Sequence, residues 1–122
     1  MAEREIVREL VRSLDRHKAQ NIRVVEVTDV TSLADYFIIA NGTSSTQVRA
    51  LADYAEGELR ELGIEPLHTE GYRSSSWVLL DYGDVVVHIF QPETRNFYDL
   101  ERLWKDGRPV ELAEFLDSEG ED

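Results

Sequence analysis

Over the first seventeen residues apolar side chains fall at Ile6, Val7, Leu10, Val11 and Leu14, three and four apart, with arginines and glutamates between them. That period gathers them on one side and predicts an amphipathic helix from Glu3 to about His17. Arg4, Arg8, Arg12 and Arg16 recur every four residues and form a basic ridge along it. From Ile22 to Thr28 the pattern changes to alternation rich in β-branched residues, which predicts a strand. Tyr36 to Ala40 is a short apolar run without alternation, the signature of a strand covered on both faces. Asn41 to Ser45 break the chain and offer a hydroxyl N-cap for a second helix, Thr46 to Leu62. Val48, Leu51, Ala52, Ala55, Leu59 and Leu62 form its buried stripe, and Gly63 stands where a left-handed C′ residue is expected.

A short strand is expected at Pro66 to Glu70, followed by a polar loop, Gly71 to Ser76, in which no nucleophile motif surrounds the serines. Trp77 to Tyr82 and Val85 to Phe90 are two strand patterns joined at Gly83-Asp84, a favoured two-residue hairpin turn. That turn fixes a register in which Tyr82 faces Val85, Leu79 faces His88 and Trp77 faces Phe90. The pleat then places Val78, Leu80, Tyr82, Val85, Val87 and Ile89 on one face, under the two long helices. Trp77, Leu79, Asp81, Val86, His88 and Phe90 take the other, which mixes aromatics with an acid and an imidazole. A face of that composition is expected to be only partly covered. After Pro92, the residues Phe97, Leu100, Leu103 and Trp104 form a helical stripe ending at Gly107, as one helix or as a turn followed by a helix. The sum is an α/β (α+β) domain with a mixed five-stranded sheet and helices packed mainly on one face.

At 122 residues the chain has room for one core. Its 25 acidic and 13 basic side chains give a net charge of −12, which repels phosphate backbones and argues against generic nucleic-acid binding and against an acidic membrane surface. The segment from Glu111 onward carries six acids and no base. The expected division is a domain over residues 1–108 and an acidic, partly disordered tail over 109–122, with Leu112, Phe115 and Leu116 able to anchor one turn. Cysteine is absent, which removes disulfide, thiolate and cysteine-based metal chemistry and fits a reducing compartment. The N-terminus has neither a signal sequence nor an acid-poor transit pattern, and no window reaches the apolar length of a membrane span, so a cytoplasmic location is expected.

Candidate chemistry is sparse. His17, His68 and His88 lack metal-ligand spacing, so no metal and no cofactor is expected. His88 with Asp81 is a candidate acid–base pair, against the alternative that His88 packs on Trp77 and bonds locally. Gly42 to Ser45, at a strand-to-helix turn, has the shape of a phosphate cradle but lacks the P-loop lysine and the dinucleotide glycine spacing. A nucleotidyltransferase would follow such a turn with an Asp-x-Asp pair on the next strand to hold magnesium. Here that strand has only Glu70, and Asp81 and Asp84 straddle a turn.

Three segments together carry a resemblance. Asp35 to Asp53, then Glu70-Gly71 with Trp77 to Phe90, then Arg95 to Trp104 look like the ribosomal silencing factor (Iojap-related) family, in order and over residues 3 to 108. The resemblance implies a nucleotidyltransferase-like scaffold without the catalytic acids, and no enzymatic activity. It implies a translational repressor that binds the large ribosomal subunit through large-subunit ribosomal protein fourteen, blocks joining of the small subunit, and lowers translation under nutrient limitation. Family positions fall on Trp77, Asp81, Gly83, Asp84, His88, Tyr98, Leu100, Glu101 and Trp104. Large rigid rings ringed by acids suit a basic protein partner. The expected contact surface is therefore Trp77, Asp81, His88 and Phe90 with Tyr98, Asp99 and Glu101. Phe90 and Trp104 also fit a core role. The competing classes are a nucleotide-binding or nucleotidyltransferase-type enzyme at Gly42 to Ser45, and a homodimer using the same aromatic face.

Overall fold

The computed structural model describes residues 2–98 and 106–116, with the backbone alone at 96–98. Its first helix, α1 (Glu3–Arg16), begins with two acids against the N-terminal end of its dipole and ends with Arg16. Its predicted stripe is buried: Val7, Leu10, Val11 and Leu14 have no exposed surface. Strand β1 (Gln20–Glu26) follows, opening on a bulge at Asn21, whose φ is 51°. Strand β2 (Tyr36–Asn41) leads into helix α2 (Ser45–Glu61), and α2 ends as the glycine signal predicts. Gly63 adopts φ 83° and donates to Arg60 O, while Ile64 N donates to Leu59 O, the paired bonds of a Schellman motif.

The chain continues through β3 (His68–Glu70), β4 (Trp77–Asp81), β5 (Val85–Phe90) and α3 (Pro92–Tyr98). Two further elements, β6 (Arg108–Val110) and the single turn α4 (Ala113–Leu116), lie in the acid-rich end. Strands assemble in the order β3-β4-β5-β2-β1-β6, and the β2–β5 contact is the parallel pair in an otherwise antiparallel sheet. The mixed α+β architecture agrees with expectation, but the sheet has six strands rather than five. Its sixth is Arg108-Pro109-Val110, bonded to β1 at the edge where proline is tolerated. Three residues show no period of their own, so this strand is defined by its partner.

Helices α1 and α2 pack on one face of the sheet, over Ile22, Val24, Ile38, Ala40, Val78, Leu80, Val85, Val87 and Ile89. Phe115, fully buried, completes that core from α4. The arginine ridge of α1 has a structural role here. Arg4 bonds Glu114 at 2.8 Å and lies 5.1 Å over the Phe115 ring, and Arg12 donates to Phe115 O at 3.3 Å. Arg16 pairs with Glu58 of α2 at 2.6 Å. The opposite face of the sheet carries a smaller cluster, Val25, Val27 and Ala34 with Phe37 and Val86 beside it.

Candidate functional site

The β4–β5 hairpin has the register that its Gly83-Asp84 turn dictates: Trp77 opposite Phe90, Leu79 opposite His88, Asp81 opposite Val86, with Tyr82 N bonded to Val85 O at 2.9 Å. Gly83 takes φ 90° in that turn. Parallel pairing of β5 with β2 sets Phe37 beside Val86 and Ile39 beside His88, so the second face extends from Trp77 and Leu79 across Val86 to Phe37. Phe37 was not legible as part of this face, because a parallel partner arrives after an intervening helix and leaves no local pattern.

Four rings organise the face. Trp77 and Phe90 stack with centroids 4.9 Å apart, and His88 meets Phe37 edge-on at 4.8 Å. The Trp77 indole donates from Nε1 to His88 Nδ1 at 3.1 Å, which assigns the imidazole proton to Nε2. His88 Nε2 is buried and has no hydrogen-bond partner among the described residues. Burial pushes the imidazole down to about 4, so the ring is neutral at ordinary pH. The exposure expected across this face is therefore confined to part of it. Phe90 is fully buried and His88 is 6% exposed, while Trp77, Leu79, Val86 and Phe37 are partly exposed. Phe90 and His88 form the floor of the face, because Phe90 lies beneath the indole and α3 crosses the end of the strand, with Arg95 bonded to Asn41 Oδ1 and Asn21 O, each at 2.8 Å.

Asp81 does not pair with His88. Its Oδ1 accepts from Gly83 N at 2.7 Å and holds the hairpin turn. Asp84 instead meets Glu3 and Asp35, three carboxylates whose oxygens lie within 4.8 Å of one another where the start of α1, the entry to β2 and the hairpin turn converge. Burial, with Asp35 as the next cause, pushes the Glu3 carboxyl up to about 7, so a proton held between Glu3 and Asp35 relieves the repulsion. Sequence spacing gives no hint of this cluster, since its members are 32 and 49 or more positions apart.

The remaining histidines sit against acids: His17 Nε2 is 2.8 Å from Glu58 and its ring stacks on Tyr54, and His68 Nε2 is 3.0 Å from Glu70. At the Gly42 to Ser45 turn, Ser44 Oγ accepts from Gln47 N, and the Gln47 side chain accepts from the backbone and hydroxyl of Thr43. This caps the start of α2 with side chains, and it engages two of the backbone donors at the turn, Thr43 N and Gln47 N. Gly42 is there for packing, since a Cβ would lie 2.9 Å from Val48. Beside the Trp77 face a shallow recess of about 240 Å³ is lined by Glu70, Gly71, Trp77 and Leu79. Tyr98 closes α3; its side chain, together with Asp99, Leu100, Glu101, Leu103 and Trp104, lies outside the described residues. Among the described residues no helix is long and apolar enough to cross a membrane.

Comparison with known proteins gives the site its setting. A family model described as ribosomal silencing factor during starvation matches residues 1–122. The ribosomal silencing factor of Halalkalibacterium halodurans is 39% identical over 112 residues, 92% of this chain and 96% of that protein. The chloroplastic protein Iojap of Zea mays is 35% identical over 106 residues, covering 84% of this chain and 45% of its own length. A crystal structure of a Chromobacterium violaceum protein, 38% identical, superposes with a TM-score of 0.83 over 90% of this chain and 92% of that one.

Proposed function

We propose the following from the premise that this chain belongs to the ribosomal silencing factor family, and so has a ribosome-associated silencing role as a regulatory factor. The protein acts by binding alone. It docks on the large ribosomal subunit through large-subunit ribosomal protein fourteen and occupies the surface that the small subunit needs, so that joining is blocked and translation falls when nutrients are limiting. The docking surface is the partly exposed aromatic face of the β4–β5 hairpin centred on Trp77, with Tyr98, Asp99 and Glu101 contributed by the segment that follows. His88, Phe90 and Asp81 support it from below and from the turn.

The observation that carries this reading is the Trp77 indole itself. It is a large ring left partly exposed, yet fixed by a hydrogen bond to a buried neutral imidazole and by stacking on a buried phenylalanine. A ring fixed before binding loses little freedom when it is covered, which is the property of an interface anchor. The side-chain capping of α2 at this turn, through Ser44, Gln47 and Thr43, favours a structural role for it over nucleotide binding. A joining assay tests the function. Large subunits preincubated with the protein and then mixed with small subunits should yield fewer joined ribosomes on a sucrose gradient, in proportion to the protein added. Undiminished joining at saturating protein would exclude the proposed mode of action.

A further inference from the structure

The loop that delivers Trp77 to the surface is held by groups with no role in the docking face itself. Gly71, at φ 88°, packs so closely that a Cβ there would lie 1.9 Å from Trp77 O. Ser75 is fully buried and adopts φ 56°, a left-handed conformation that an L side chain keeps only where its surroundings impose it. Three sets of bonds impose it. Ser75 N donates to Gly71 O at 2.8 Å and its hydroxyl donates to Tyr72 O at 2.8 Å. Gln91, just past β5, donates from Nε2 to Ser75 O at 3.3 Å. From α2, Arg49 reaches across with two donors: Nε to Ser75 Oγ at 3.2 Å and an Nη to Tyr72 O at 3.1 Å.

We propose that Arg49 is a positioning residue for partner binding, its guanidinium fixing the Gly71–Ser76 loop so that Trp77 and the recess beside it are shaped before the partner arrives. The inference rests on the reading of Trp77 as the interface anchor. Both acceptors of Arg49 are neutral oxygens of one loop, which it spans as a planar fork. Gly71 and Trp77 both line the recess, and they lie so close that a Cβ on Gly71 would meet Trp77 O. Fixing a loop in its bound shape raises affinity by removing the ordering cost at association. Lysine at 49 supplies charge and helix propensity but a single ammonium, so it is expected to restore binding only in part.

The test measures affinity for isolated bacterial large ribosomal subunits with wild type, R49A, R49K, S75G and W77A, alongside thermal melting and the exchange rate of the Trp77 indole Nε1–H in NMR spectra, assigned by its loss in W77A. S75G removes one of the two Arg49 acceptors, Ser75 Oγ, while glycine accepts the positive φ, so it carries the test should R49A fail to fold. The expected result is binding about tenfold weaker in R49A and intermediate in R49K. S75G is weakened with its melting temperature held within a few degrees, and the indole exchanges faster in R49A and S75G. Wild-type affinity in both R49A and S75G, with W77A impaired, overturns the positioning role and leaves the docking surface standing. Wild-type affinity in W77A overturns the docking surface, and the positioning role with it.

Discussion

His88 and Glu3 hold their protons in opposite senses, and the pH dependence of stability separates them. His88 is buried and neutral with its Nδ1 accepting from Trp77, and its folded value of about 4 lies below that of an unfolded histidine. Between about pH 6.5 and 4 the unfolded chain binds the proton and the folded chain does not, so this group costs stability as pH falls, by up to about 3 kcal/mol. Glu3, pushed up to about 7, binds a proton in the folded chain that the unfolded chain releases, so its effect runs the other way: stability is lost as pH rises from about 4.5 to 7. Urea unfolding from pH 4 to 8 should show H88Q removing the loss on the acid side and E3Q removing the loss on the neutral side. Superimposable profiles for wild type and H88Q would mean that His88 is not buried as described. The face on which His88 and Trp77 stand is legible from a two-residue turn and a period of two. Their burial is not, because it depends on stacking and on where α3 turns, which are long-range facts.

At the scale of elements, both long helices and the hairpin follow from local signals: the α1 stripe, the Ser44 cap with Gly63 as stop, and the Gly83 turn. The acid-rich end shows where composition misleads. Amid its surplus of carboxylates the apolar spacing Leu112, Phe115 and Leu116 anchors one turn, as expected, and the basic ridge of α1 supplies the complement. No local pattern points from the ridge to this partner, since the paired residues are 110 and 103 positions apart. Phe115→Ala should therefore destabilise the fold by about 3–5 kcal/mol, the range for a buried aromatic truncated in a core. Thermal or urea melts give the value; a cost below 1 kcal/mol would place Phe115 outside the core.

For the whole molecule, the net charge of −12 is divided between local roles: six acids lie at the C-terminal end, three carboxylates cluster under the hairpin turn, and Arg4, Arg12 and Arg16 of α1 are engaged with α4 and α2. What remains for docking is an aromatic patch in an acidic molecule, which suits a basic protein and not a phosphate backbone. Raising salt from 50 to 200 mM should weaken binding only several-fold, against about 10³–10⁵-fold for a protein making six to ten phosphate contacts. A slope of that larger size would assign the contact to ribosomal RNA. The central claim, that the hairpin face bearing Trp77 is what holds the large subunit, is tested most directly by co-sedimentation of purified large subunits with wild type and with the W77A Y98A double variant, their circular dichroism compared. The wild type should pellet with the subunits, and the double variant should remain in the supernatant with an unchanged spectrum. Full co-sedimentation of the double variant would contradict the account.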